Sequence, residues 1–159
     1  LYKFPGMTFI CYQLRPESLG SIHIRSNKPD EQPAIRFNFL HDPIDLRAMI
    51  DGVNVMRNIV NSAPMDPYRG EEFKPGKEIA GDTAIENWLR DTGETAYHPI
   101  GTCRMGSGPN AVVDDKLKVY GLQGLRVADA SIFPTMPSGN TNAAAIMVGE
   151  RASDLIKEG

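Results

Sequence analysis

The chain has 159 residues, 41% of them hydrophobic and 23% charged, with a formal net charge of -3. A chain of this length and composition can bury a core of its own. It excludes a transmembrane helix, because the longest strongly apolar run, Ala143 to Val148, falls far short of the roughly 20 residues required. Seventeen basic residues against twenty acidic ones, with no basic cluster, argue against nucleic acid as a partner. Cys11 and Cys103 are too few for a disulfide framework, and reduced thiols are expected.

In chain order, the first forty residues read as β structure. Met7 to Leu14 is rich in Thr, Phe, Ile and Tyr. Gly20 to Ser26 sets Ile22 and Ile24 against His23 and Arg25, the alternation of a half-buried strand. Asn27 to Asp30 is a turn, and Ala34 to Phe39 alternates again through Ile35, Phe37 and Phe39. Connections this short predict antiparallel pairing. From Asp42 to Ser62 the period changes. Leu46, Met49, Ile50, Val53, Met56, Ile59 and Val60 recur at three and four, which predicts an amphipathic helix capped by Asp42, opened by Pro43 and closed before Pro64. A proline-containing loop from Met65 to Ala80 leads to a short helix, Thr83 to Arg90, with Asp82 as its expected cap. Leu117 to Tyr120 and Leu125 to Ala128 read as short strands around a glycine turn. Asn142 to Lys157 reads as a final helix with Ala145, Val148, Ala152, Leu155 and Ile156 as its stripe. Strands, a helix, further strands and a last helix predict an α+β fold, an antiparallel sheet with packed helices.

Few residues carry reaction chemistry. Gly106 to Ala111 formally satisfies G-x-G-x-x-A, but Pro109 sits inside it and Val112-Val113-Asp114-Asp115 follows where a helix should start, so it is read as a turn. His23 lies on the polar face of a strand and His41 before a helix, both ordinary surface positions. His98 sits in Ala96-Tyr-His-Pro-Ile-Gly-Thr-Cys-Arg-Met-Gly106, where Pro99 restricts the backbone and glycines admit a close neighbour; a structural and a chemical role stand equal there. No metal is expected, because His98 and Cys103 have no further ligands at zinc spacing. A hydrolase is disfavoured by the absence of a G-x-S-x-G elbow. A second dense string, Arg126-Val-Ala-Asp-Ala-Ser131 followed by Ile-Phe-Pro-Thr-Met-Pro-Ser-Gly-Asn-Thr-Asn-Ala143, runs from strand through loop to a helix N-terminus. Asn140 and Asn142 fit capping there, and the same helix end favours an anion.

Together these strings resemble the C-terminal region of the glucose–methanol–choline (GMC) flavoprotein oxidoreductases, above all the branch of choline dehydrogenases and bacterial alcohol dehydrogenases. Arg15-Pro-Glu-Ser-Leu-Gly-Ser-Ile-His-Ile-Arg-Ser26 is similar to the family's R-P-x-S-x-G strand pair. Tyr97-His-Pro-Ile-Gly-Thr-Cys-Arg-Met-Gly106 is similar to its H-P-x-G-T-x-x-M-G string. Val113-Asp114, Gly124 to Ser131 and Ser138-Gly-Asn-Thr-Asn-Ala143 complete the pattern in order. The resemblance implies that His98 and Asn140, 42 positions apart, are the catalytic pair. His98 would accept the proton of an alcohol hydroxyl while a hydride passes to the flavin, and Asn140 would hold the alkoxide oxygen. It implies cofactor contacts from Asp129 and Ala130, mostly through backbone, and from Thr141 and Asn142 at the helix N-terminus, where reduction of the flavin develops negative charge.

What the resemblance implies for the whole is a C-terminal piece of an FAD-dependent alcohol oxidoreductase acting on a choline-like or other primary alcohol, inert by itself and not expected to retain FAD. Residues 1–108 would be the substrate domain, and 109–159 a returning strand–helix segment that lines a flavin domain encoded before Leu1. The stripe of the last helix is then expected to be partly exposed or satisfied by self-association. A bacterial cytoplasmic location is expected, with membrane association left to the absent half. A non-catalytic interaction module and a lyase on the same fold are the alternatives. Tyr97 and Trp88 are candidates by type for a trimethylammonium cage, with core packing as the plainer expectation.

Overall fold

The computed structural model describes residues 3–159, which divide into two compact units. One comprises residues up to Leu19 together with Asn38–Thr95; the other comprises Gly20–Phe37 and Ala96–Gly159. Helices and a two-stranded antiparallel sheet make the fold α+β, as the alternating patterns predict.

The first unit is built on two helices, α1 (Pro43–Val60) and α2 (Asp82–Thr92). α1 starts where expected. The Asp42 carboxylate accepts the Ile44 N–H at 2.8 Å, satisfying a donor that the first turn cannot, and Pro43 has no N–H to leave over. Ile50 and Val53 of α1 meet Ile85 and Leu89 of α2 in a small core, with Leu46, Met49 and Trp88 packed against it. Trp88 is therefore half-buried against this core. α2 departs from expectation at its start: Gly81, at φ 79°, takes the cap position, and Asp82 lies inside the first turn. Its carboxylate pairs with Arg47 across to α1 instead of capping.

Met7 to Leu14 forms no strand. Its aromatic and branched residues favour extended backbone, but a strand needs a neighbour to close its ladder. No ladder partner lies among the described residues, and Phe9, Ile10 and Tyr12 remain exposed. This unit instead anchors the following turn on a buried carboxylate. Asp45, 2% exposed, accepts the Glu17 N–H at 3.0 Å and the Ser18 N–H at 2.7 Å. The Ser18 hydroxyl in turn accepts the Asp42 N–H at 3.0 Å.

The second unit opens with a hairpin, β1 (Ser21–His23) and β2 (Ala34–Arg36), paired antiparallel with Ile22 opposite Ile35. The strands are shorter than their alternation suggests, and Ile22, Ile24 and Ile35 are exposed, so this hairpin has no buried face within its unit. Gly20 begins it because a Cβ there would stand 2.2 Å from the Arg36 carbonyl oxygen. The expected strands at 117–120 and 125–128 reduce to single bridges, Val113 to Val119 and Lys118 to Arg126. Gly106 to Ala111 is a turn, closed by the Ala111 N–H on the Gly108 carbonyl. The unit's core gathers Val113, Leu117, Ile132 and Phe133 under helix α3 (Asn142–Glu158), which contributes Val148, Ala152 and Leu155. Most of the expected stripe of α3 is thus covered by its own unit, while Ile156 is exposed together with Ile146 and Met147 off the stripe.

Candidate active site around His98

The catalytic and cofactor-binding residues expected from the sequence all belong to the second unit, whereas Trp88 belongs to the first. The two dense strings are laced together by backbone. The Cys103 N–H donates to the Ser131 carbonyl at 2.9 Å, and the Met105 N–H to the Ile132 carbonyl at 2.8 Å. Gly101 permits this approach: it has φ 81°, and a Cβ there would meet the Phe133 carbonyl oxygen at 3.4 Å. The lacing brings the loop carrying His98 alongside the loop that enters α3.

The imidazole of His98 is held at both nitrogens. Nδ1 lies 3.1 Å from Thr141 Oγ1 in a partly buried contact, and Nε2 lies 3.1 Å from Asn140 Oδ1 on the exposed side. His98 itself is half-buried, Thr141 is buried and Asn140 exposed. Thr141 occupies the cap position of α3 without a side-chain cap bond, its hydroxyl being turned to the ring. Capping, which the sequence allowed for Asn140 and Asn142, is therefore not what these side chains do. Asn140 faces the imidazole, and Asn142 is the exposed first residue of the helix.

Two non-glycine residues adopt left-handed backbone beside this pair, Tyr97 at φ 59° and Ser138 at φ 58°. One precedes His98 and the other stands two before Asn140. Such conformations cost energy and persist where surrounding structure imposes them, as at sites that must aim a side chain. Tyr97 is exposed rather than packed in a core. Asp129 caps a single helical turn at Ala130–Ile132, its carboxylate accepting the Ser131 N–H at 2.8 Å, so the side chain is used locally. The N–H end of the 17-residue α3 takes no side-chain cap and its first two residues, Asn142 and Ala143, are exposed, which leaves donors and a partial positive charge open to an electron-rich partner.

A family model described as GMC oxidoreductase matches residues 16–149, spanning the hairpin and both dense strings. The chain belongs to the GMC oxidoreductase family. It is 43% identical over 151 residues to the oxygen-dependent choline dehydrogenase of Cronobacter sakazakii, an alignment that takes in 94% of this chain and 27% of that protein. Among solved structures it superposes on a pyridoxine 4-oxidase from Mesorbium loti with a TM-score of 0.85 at 28% identity, over 92% of this chain and 28% of the other. It also superposes on an FAD-dependent oxidoreductase from Chaetomium thermophilum with a TM-score of 0.83 at 35% identity, over 91% and 25% respectively. The chain thus spans about a quarter of the length of these GMC relatives.

Within this GMC chain His98 and Asn140 lie far apart in sequence and in contact in space. Sequence reasoning assigned Thr141 to the cofactor, and its contact with the ring was missed. The only signal for it was its place next to Asn140, since a threonine before a helix is ordinarily a cap.

Proposed function

We propose that this chain supplies the proton-handling side of an FAD-dependent oxidoreductase that oxidises the CH–OH group of a primary alcohol of the choline kind. The observation that carries this reading is the His98 imidazole held between Thr141 on its buried side and Asn140 on its exposed side. Nε2 is the nitrogen that an incoming molecule reaches. With the alcohol bound, Nε2 accepts the hydroxyl proton; a neutral imidazole is suited to that near pH 7. Asn140 holds the alcohol oxygen with its amide N–H, opposing the negative charge that develops on it and fixing the carbinol carbon. The name of the Cronobacter sakazakii relative, an oxygen-dependent choline dehydrogenase, supports a choline-like substrate.

FAD, when bound, supplies the acceptor of the two electrons. The open donor end of α3 would help hold it, Asn142 and the first-turn N–H groups supplying donors that favour negative charge. Asp129 and Ala130 would meet the cofactor through backbone, since the Asp129 carboxylate is spent on its own turn. In this reading residues 1–108 serve as substrate domain and 109–159 as a segment lining a nucleotide-binding domain outside these 159 residues, so the chain by itself does not retain FAD. Dialysis of the isolated chain against FAD should leave no bound flavin absorbance; a stoichiometric yellow complex would refute that division.

The function is tested by His98→Ala in the full-length enzyme. Anaerobic single-turnover reduction of the flavin by alcohol should slow by about 10²-fold or more through loss of the base. Reduction at the wild-type rate would overturn the assignment.

A further inference from the structure

We infer that Thr141 is a positioning residue that accepts the Nδ1 proton of His98 and so supports the tautomer whose Nε2 is free to act as base. This rests on His98 being the proton acceptor, and the argument concerns which of its nitrogens carries a proton beforehand. A neutral imidazole has one N–H and one lone pair. Only the nitrogen on the exposed side meets a substrate, and that is Nε2, beside Asn140. For Nε2 to accept a proton, the resting proton must sit on Nδ1, where it needs an acceptor because the contact is partly buried. Thr141 Oγ1, 3.1 Å away, is the acceptor the structure provides.

The placement of Thr141 is what makes this more than proximity. Its side chain is buried, stands at the cap position of α3, and yet makes no cap bond. Threonine at such a position ordinarily caps the helix; here the hydroxyl is committed to the ring instead. Asn140 accommodates either arrangement, since turning its amide by 180° presents an NH2 donor instead of the oxygen at the same point. The Thr141 hydroxyl can also donate or accept, and it accepts here because proton abstraction by Nε2 requires the resting proton on Nδ1; removing the hydroxyl would leave that proton without an acceptor. Its hydroxyl is neutral, unlike the carboxylate that fills this place in hydrolase triads, so it orients the ring without adding a negative charge to hold the proton there. When the substrate hydroxyl gives its proton to Nε2, Nδ1 keeps its own. The imidazolium formed retains the Thr141 bond, and the electron pair of the carbinol C–H leaves as hydride to the flavin, the named oxidant.

The test uses the full-length holoenzyme, with 15N-labelled histidine, and three variants. In the wild type, the His98 resonances, identified by their loss in His98→Ala, should show a protonated Nδ1 and an unprotonated Nε2 at neutral pH. Thr141→Val, which keeps the side-chain shape and removes the hydroxyl, should shift the ring towards the other tautomer and slow anaerobic flavin reduction by about 10- to 100-fold, the cost usual for losing a histidine's orienting partner. Thr141→Ser, which restores the hydroxyl, should recover both. An Nε2-protonated ring in the wild type overturns the inference without any variant, as does a Thr141→Val enzyme with unchanged tautomer and rate. Serine behaving like valine also overturns it, because methyl packing would then be the cause. If His98→Ala alone leaves reduction unchanged, it is the base assignment that falls, and the tautomer measurement still reads the Thr141 contact by itself.

Discussion

Replacing Asp45 removes the one buried carboxylate among the described residues of the first unit, and its effect follows from three contacts. The side chain is 2% exposed and accepts the backbone N–H groups of Glu17 and Ser18, at 3.0 and 2.7 Å, with a second Glu17 contact at 3.2 Å. A hydrogen bond to a charged group is worth about 1.5–3 kcal/mol net, and a buried donor stripped of its acceptor costs about 1–3 kcal/mol. Asp45→Ala strands two donors, so about 3 kcal/mol is expected, with some recovered if water reaches the turn. Asp45→Asn keeps one acceptor oxygen and loses the charge, for about half that loss. Urea unfolding followed by tryptophan fluorescence reports on this unit directly, because the only tryptophan, Trp88, packs against its core. The midpoint should fall with the slope unchanged. A loss below about 1 kcal/mol for Asp45→Ala would refute the view that this carboxylate holds the 15–19 turn onto α1. The acid limb offers a second check. Burial pushes the Asp45 carboxyl up, but hydrogen bonds from the Ser18 side chain, the Glu17 and Ser18 N–H groups and Gln13 outweigh it and hold it below the usual carboxylate range. The folded state then binds this proton less readily than the unfolded one. Its contribution is fully present above the unfolded value of about 4 and is lost as pH falls through the depressed folded value. The difference between wild type and Asp45→Asn should accordingly narrow below about pH 4; a difference that persists undiminished there would contradict it.

Three further substitutions test the second unit. Leu155→Ala should cost about 2–5 kcal/mol by opening a cavity in the cluster under α3, while the adjacent Ile156→Ala should stay within about 0.5 kcal/mol; equal effects in thermal unfolding would mean that α3 is turned differently. Gly101→Ala should destabilise by about 1–2 kcal/mol, because an L-residue disfavours φ 81° and its Cβ would press on the Phe133 carbonyl. An unchanged melting temperature would show that the lacing of the two loops does not depend on that turn.

The helices were legible in the sequence nearly to the residue. The backbone ladder of α1 closes between residues three and four apart, and its cap, first proline and apolar period are all local signals. α3 was legible for the same reason, and so was the turn at Gly106–Ala111. The motif strings pointed to His98 and Asn140 through resemblance, although spacing alone left His98 undecided. β structure was read less well. Met7–Leu14 has a strand's composition without a strand's partner, and the pair at 117–128 shrinks to bridges, because ladders close between segments that local pattern does not bring together. Asp82 was misplaced by one residue for a related reason: Gly81 takes the positive φ that ends the loop, and Arg47, 35 positions away, claims the carboxylate.

What the sequence by itself determined is the family and the helices, since each is written in contiguous residues; the pairing of His98 with Asn140 came from it only as what the resemblance implies. What only the tertiary structure decided is which atom of His98 faces outward and what stands behind it. That depends on the Cys103–Ser131 and Met105–Ile132 backbone bonds, which carry the ring from one loop against the helix start of another. Thr141 gains its place at Nδ1 from that juxtaposition, and no local pattern distinguishes a threonine that caps a helix from one that holds an imidazole.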